Sequence, residues 1–129
     1  MILYNITISV NAESASEWLE YMVNDHIPSV LATGHFRDYK LCRVEGDEEG
    51  GKTFAVQYVA HSLASFNTYQ TECAPDLQAD FMRKWGTKAV AFRTILPLLH
   101  EGKAEKVQTD KAWLNQKNIW VNTSWLDRE

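Results

Sequence analysis

Asn5, Gln57 and Arg93 occupy odd positions in three separate apolar stretches, residues 2–10, 53–60 and 88–96. If those stretches are neighbouring strands, shared parity brings the three side chains together laterally. An arginine in that setting can clamp a carboxylate or phosphate with two parallel hydrogen bonds, while the two amides fix its orientation. The trio therefore stands as a candidate ligand-binding site. The more ordinary reading is a polar network at an interface between subunits, or an arginine paired with a partner's acid.

His26 is the other residue with chemical capacity. It lies on an apolar helical stripe two residues before Pro28, and imidazole titrates near neutral pH, so it is a candidate general acid or base. The competing expectation is structural: a helix ending near a proline leaves carbonyls that the ring N–H can cap. His35 and His61 fall at strand ends and are expected at the surface. No two histidines share metal-site spacing with a carboxylate, so no metal is expected. No serine sits in a G-x-S-x-G elbow and no glycine-rich phosphate loop follows a strand, so no cofactor is expected either. Cys42 and Cys73 stand apart, with no C-x-x-C, and are read as small buried hydrophobes.

These residues need elements to hold them. Residues 2–10 alternate, with Ile2, Tyr4, Ile6, Ile8 and Val10 on one face, which predicts a half-buried strand. Ser14-Ala15-Ser16-Glu17 has the form of a capping box. A helical stripe follows through Trp18, Met22 and His26, with Pro28 kinking or restarting the helix and Gly34 ending it. Residues 36–44 carry Arg37, Asp38, Lys40 and Arg43, so much charge that an edge strand is predicted. After a glycine-containing acidic hairpin, residues 53–60 predict an inner strand. A second helical stripe runs through Leu63, Phe66, Tyr69, Leu77, Phe81, Met82 and Trp85, interrupted at Pro75 and ended at Gly86. Residues 88–96 predict the last strand.

The two halves share one plan: strand, proline-interrupted helix, glycine, strand. Two such units give an α+β, ferredoxin-like βαββαβ fold, with a four-stranded antiparallel sheet and both helices on one face. The opposite face is expected to present Leu3, Asn5, Thr7, Ala55, Gln57, Val59, Ala91, Arg93 and Ile95. That mixture suits a partner sheet better than water. Trp18, Tyr21, Trp85 and Phe92 are expected in the core.

Within a chain of 129 residues with 45% hydrophobic and 23% charged residues, one principal domain is expected, residues 1–100, large enough to fold without staples. Residues 101–129 form a C-terminal extension that balances five acids against five bases and holds Trp113, Trp120 and Trp125. Disordered tails are poor in aromatics. The extension is therefore expected to pack on its own domain or on a partner subunit, with a short helix to Lys117 and an extended segment over residues 118–125. The net charge of −4 and the acidic cluster at residues 45–49 argue against nucleic acid and anionic membranes. No apolar run approaches the roughly 20 residues of a membrane span, and a cytoplasmic location is expected.

The segments Trp18-Leu19-Glu20-Tyr21-Met22, His26-Ile27-Pro28 and Thr33-Gly34-His35-Phe36 resemble a family of small bacterial proteins known only as a domain of unknown function. Tyr58, Ala74-Pro75, Phe81, Trp85-Gly86 and Ala91-Phe92-Arg93-Thr94 extend the resemblance over about residues 1–98. Such proteins look like members of the dimeric α+β barrel superfamily, in which two ferredoxin-like sheets face each other; relatives include small monooxygenases, isomerases and haem-degrading enzymes. The resemblance implies a fold and a homodimer. It carries no activity.

Together these features point to a homodimer that binds a small molecule between sheet and helices or at the dimer seam. The alternative is a non-catalytic interaction module that docks a protein through its Trp-rich tail. RNA recognition, which shares the strand order, is weaker. Lys52-Thr53-Phe54-Ala55-Val56-Gln57-Tyr58-Val59 lacks most of the aromatic positions of the RNA-binding strand.

Overall fold

A computed structural model describes residues 1–46 and 50–104. The chain divides into two units, Met1–Leu99 and His100–Glu129, and the expected helix, extended segment and packing of the extension lie outside the described residues. Within the first unit the order is β1 (Ile2–Asn11), α1 (Ala15–Tyr21), α2 (Ile27–Ala32), β2 (Phe36–Arg43), β3 (Gly51–Ala60), α3 (Leu63–Thr68), α4 (Ala74–Trp85) and β4 (Ala89–Pro97). The strands form one sheet in the order β2-β3-β1-β4, antiparallel throughout. This is the ferredoxin-like plan. β2, with its charges, lies at one edge, and its register slips between Phe36 and Asp38.

Each helical segment opens and closes for a local reason. Ser62 is extended (φ −160°, ψ 167°) and its hydroxyl accepts the Ser65 N–H at 3.0 Å, which satisfies a free donor of α3. The capping box at Ser14 does not form. A 3-10 turn, Ala12–Ser14, already places Ser14 in helical geometry (φ −102°, ψ −3°), whereas a cap needs extended backbone. Gly34 takes φ 81°, a left-handed value that glycine accepts without cost, and so turns the chain out of α2 into β2.

Helices and sheet close on one aromatic core. Trp18 is fully buried and its ring stacks on Phe54 at 4.9 Å between centroids. Tyr4 lies among Phe36, Tyr58, Phe66 and Tyr69, with centroids 5.1–6.3 Å away. Burying side chains of this size contributes about 2–3 kcal/mol each.

Several expectations change here. Leu63 and Met82 are exposed, because each helix buries a narrower stripe than the run of apolar residues suggests. Cys42 is exposed and Cys73 half-buried, since Cys42 stands on the outer face of an edge strand. The parity of β4 is the larger correction. Arg93 lies opposite Ile6, Ala91 opposite Ile8 and Ile95 opposite Tyr4, and residues opposed in an antiparallel pair share a face. Ala91, Arg93 and Ile95 therefore belong to the helix side. The outer face of β4 is Val90, Phe92, Thr94 and Leu96, and Phe92 is 62% exposed rather than in the core.

Candidate functional site

The register splits the expected trio. Asn5 and Gln57 face each other across β1 and β3 on the open side of the sheet, where the Asn5 amide donates to the Thr7 hydroxyl at 3.2 Å. Arg93 is on the other side. No aromatic residue of β1 or β3 reaches the open face, since Tyr4, Phe54 and Tyr58 all turn toward the helices, so those strands offer no stacking platform for RNA bases.

On the helix side, Arg93 meets His26. Both helical runs contain a π turn directly before a proline: Met22–His26 before Pro28, and Tyr69–Cys73 before Pro75. Proline has no N–H to donate and its ring crowds the carbonyl four residues back. One extra residue in the preceding turn relieves both, and the Ile27 and Ala74 N–H groups then donate to Met22 and Tyr69, five residues back. π turns recur at functional sites. Here one brings Met22 and His26 to the wall of a cleft completed by Ile6 and Ile8 of β1, Gln78 and Phe81 of α4, and Ala91 and Arg93 of β4. The enclosed space is only about 20 Å³, room for about one water-sized group.

His26 packs edge-on against Phe81, with centroids 5.5 Å apart, and lies 6.0 Å from the Tyr21 ring. Burial, reinforced by the Arg93 charge, lowers its pKa to about 4. The imidazole is thus neutral at physiological pH, with one ring nitrogen able to accept a hydrogen bond. No hydrogen bond ties its ring to a carbonyl among the described residues, so the expected cap is not made. Arg93 and the Gln78 amide also reach the Tyr4 hydroxyl, favouring its ionised form, yet burial outweighs them and the Tyr4 pKa is raised. Burial likewise raises Tyr69 and Tyr58, and the Tyr58 hydroxyl has no hydrogen-bond partner among the described residues.

His35 and His61 lie apart from the cleft. His35 shares a 2.8 Å hydrogen bond with the Ser65 hydroxyl, tying the start of β2 to α3. Tyr4, Gln78 and Phe81 were not singled out for a site by sequence. The proline that forces each π turn was visible; the helix register that aims Gln78 into the cleft was not. A broader groove of about 320 Å³, lined by Arg43, Glu45 and Lys52, adjoins the β2–β3 hairpin. It holds no buried polar group and offers no comparable chemistry. Among the described residues no cluster of His, Cys, Asp or Glu could hold a metal ion, and no helix is long and apolar enough to cross a membrane.

Residues 1–99 match the family model described as "Domain of unknown function (DUF4286)". No curated protein sequence matches the chain significantly. Among solved structures, HapK from Hahella chejuensis is similar with TM-score 0.61 and 12% identity, covering 82% of this chain and 100% of that one. A mutant of MhuD with two manganese protoporphyrin IX molecules bound per active site follows at TM-score 0.58 and 19% identity, covering 81% and 100%. A dimeric ferredoxin-like protein from an uncultured marine organism gives TM-score 0.58 and 10% identity over 81% and 100%. At these identities the likeness is one of fold.

Proposed function

The chain belongs to the DUF4286 family, and we propose that it is a homodimeric domain that binds a small molecule in the cleft between its sheet and its helices. One observation carries the proposal: a neutral, half-buried imidazole and an exposed guanidinium meet at a small, mainly apolar recess. Apolar walls with a few convergent polar groups and a perturbed histidine are the usual marks of a ligand site. A protein of the same fold carries porphyrin in its active site, which supports the reading by analogy. The His26 ring can accept a hydrogen bond or a proton from what binds.

The homodimer is supported from the opposite side of the sheet. Val90, Phe92 and Leu96 present 74%, 62% and 41% of their surface to solvent, and an exposed apolar strip of this kind, broken only by Thr94, marks an interaction surface. A second copy would cover this strip, as a neighbour of the same fold is dimeric. Asn5 and Gln57 then belong to the seam, where any ligand they touch would lie between subunits, while Arg93 belongs to the cleft. Two unpaired cysteines, one of them exposed, favour a reducing, cytoplasmic setting.

The test is to block the recess. Ala91→Phe should fill it, and fragment-sized ligands that raise the melting temperature of the wild type should leave this variant's own melting temperature unchanged. Equal shifts in both proteins would place binding elsewhere. No shift in the wild type with neutral or charged fragments would remove the small-molecule reading.

A further inference from the structure

The charges around the cleft say more about its occupant. Arg37, Arg43 and Arg83 each pair with an acid, respectively Asp38, Glu45 and Asp80. Arg93 makes no ion pair among the described residues, and no carboxylate lines the cleft. Arg93 is exposed at the mouth of the cleft, where its guanidinium is open to an acceptor arriving from solvent. The Tyr4 hydroxyl and the Gln78 amide lie beside it and can donate to the same acceptor.

Its positive charge is also single. His26 is neutral and no lysine lines the cleft; Lys84 sits over the Tyr21 ring at 4.8 Å and Lys88 over Trp85 at 5.7 Å. One planar guanidinium matches one carboxylate in two parallel hydrogen bonds, whereas a doubly charged phosphate would leave charge uncompensated. The enclosed space admits one small head group and no more.

We propose that the cleft takes the carboxylate of a small monocarboxylate, held by Arg93 with the Tyr4 hydroxyl and Gln78 amide. This rests on the cleft being the ligand site, as argued above. It goes further by naming the chemical class and the residue that selects it.

Benzoate and its neutral isostere benzamide separate the two levels when titrated calorimetrically into the full-length protein at pH 7.5, with NMR signals of His26 and Phe81 reporting where they bind. Benzoate should bind with roughly tenfold or greater preference over benzamide, shifting both residues' signals. Arg93→Ala should erase the preference. Arg93→Gln, which keeps length and donors without charge, should do the same and serves if the alanine variant misfolds. Equal affinity for the two probes, or a preference that survives in Arg93→Gln, overturns the carboxylate assignment while leaving the cleft a ligand site. If neither probe shifts the His26 and Phe81 signals up to about 10 mM, the cleft is not a ligand site and the inference falls with it.

Discussion

Burial and the neighbouring Arg93 hold the His26 imidazole neutral down to about pH 4, while an unfolded chain protonates it near pH 6.5. As pH falls through that window the unfolded state gains a proton that the folded state refuses, so stability is lost on acidification. From this group alone the loss between pH 7.5 and pH 5 should be on the order of 2 kcal/mol. Urea unfolding of wild type and His26→Gln at the two pH values isolates it, because the two proteins differ only in this ring. An identical pH dependence would mean that the ring is solvated. His26 was legible as a candidate from its type and its place before Pro28. The partnership with Arg93 was not, because it depends on which way β4 faces.

Elements were more legible than the contacts between them. Strict alternation fixed the inward face of β1, and Ile2, Tyr4, Ile8 and Val10 are indeed buried. The β4 stretch, Ala89–Pro97, has apolar residues at both parities, so periodicity could not assign its faces. Its register with β1 does, and one residue of slip moves every side chain to the other side. The capping box misled for a related reason: its residue types were right, but a 3-10 turn had already bent the backbone. Substitutions at two positions test the elements. Trp18→Ala should cost about 3–5 kcal/mol in chemical denaturation, since its cavity sits under Phe54 and cannot readily collapse. Gly34→Val should cost roughly 1–2 kcal/mol, because a β-branched residue is strained at φ 81°; Gly34→Asn should cost less. Equal stability of all three Gly34 proteins would show that the left-handed turn is not a constraint.

At the scale of the whole molecule, β4 divides two tasks. Its inward residues, Ala91 and Arg93, complete the cleft, and its outward residues, Val90, Phe92 and Leu96, form the strip on which a second copy would pack. The strand thereby links the outward face to the wall of the cleft, so dimer formation should stiffen the edge from which Arg93 projects. The ferredoxin-like plan followed from the pseudo-repeat of two strand–helix–strand units. The assignment of the β4 residues to the outward face or to the cleft required the register. A charge in the strip should break the assembly without touching the core, because Phe92 is exposed in the single subunit.

The most direct measurement is therefore the mass in solution, by light scattering at several micromolar concentrations, of the full-length wild type and of Phe92→Asp. The wild type should be a dimer, and the variant a folded monomer with the same far-ultraviolet circular dichroism. A monomeric wild type, or a Phe92→Asp protein that remains a dimer, would contradict the assignment of the outward face of β4 to a second copy.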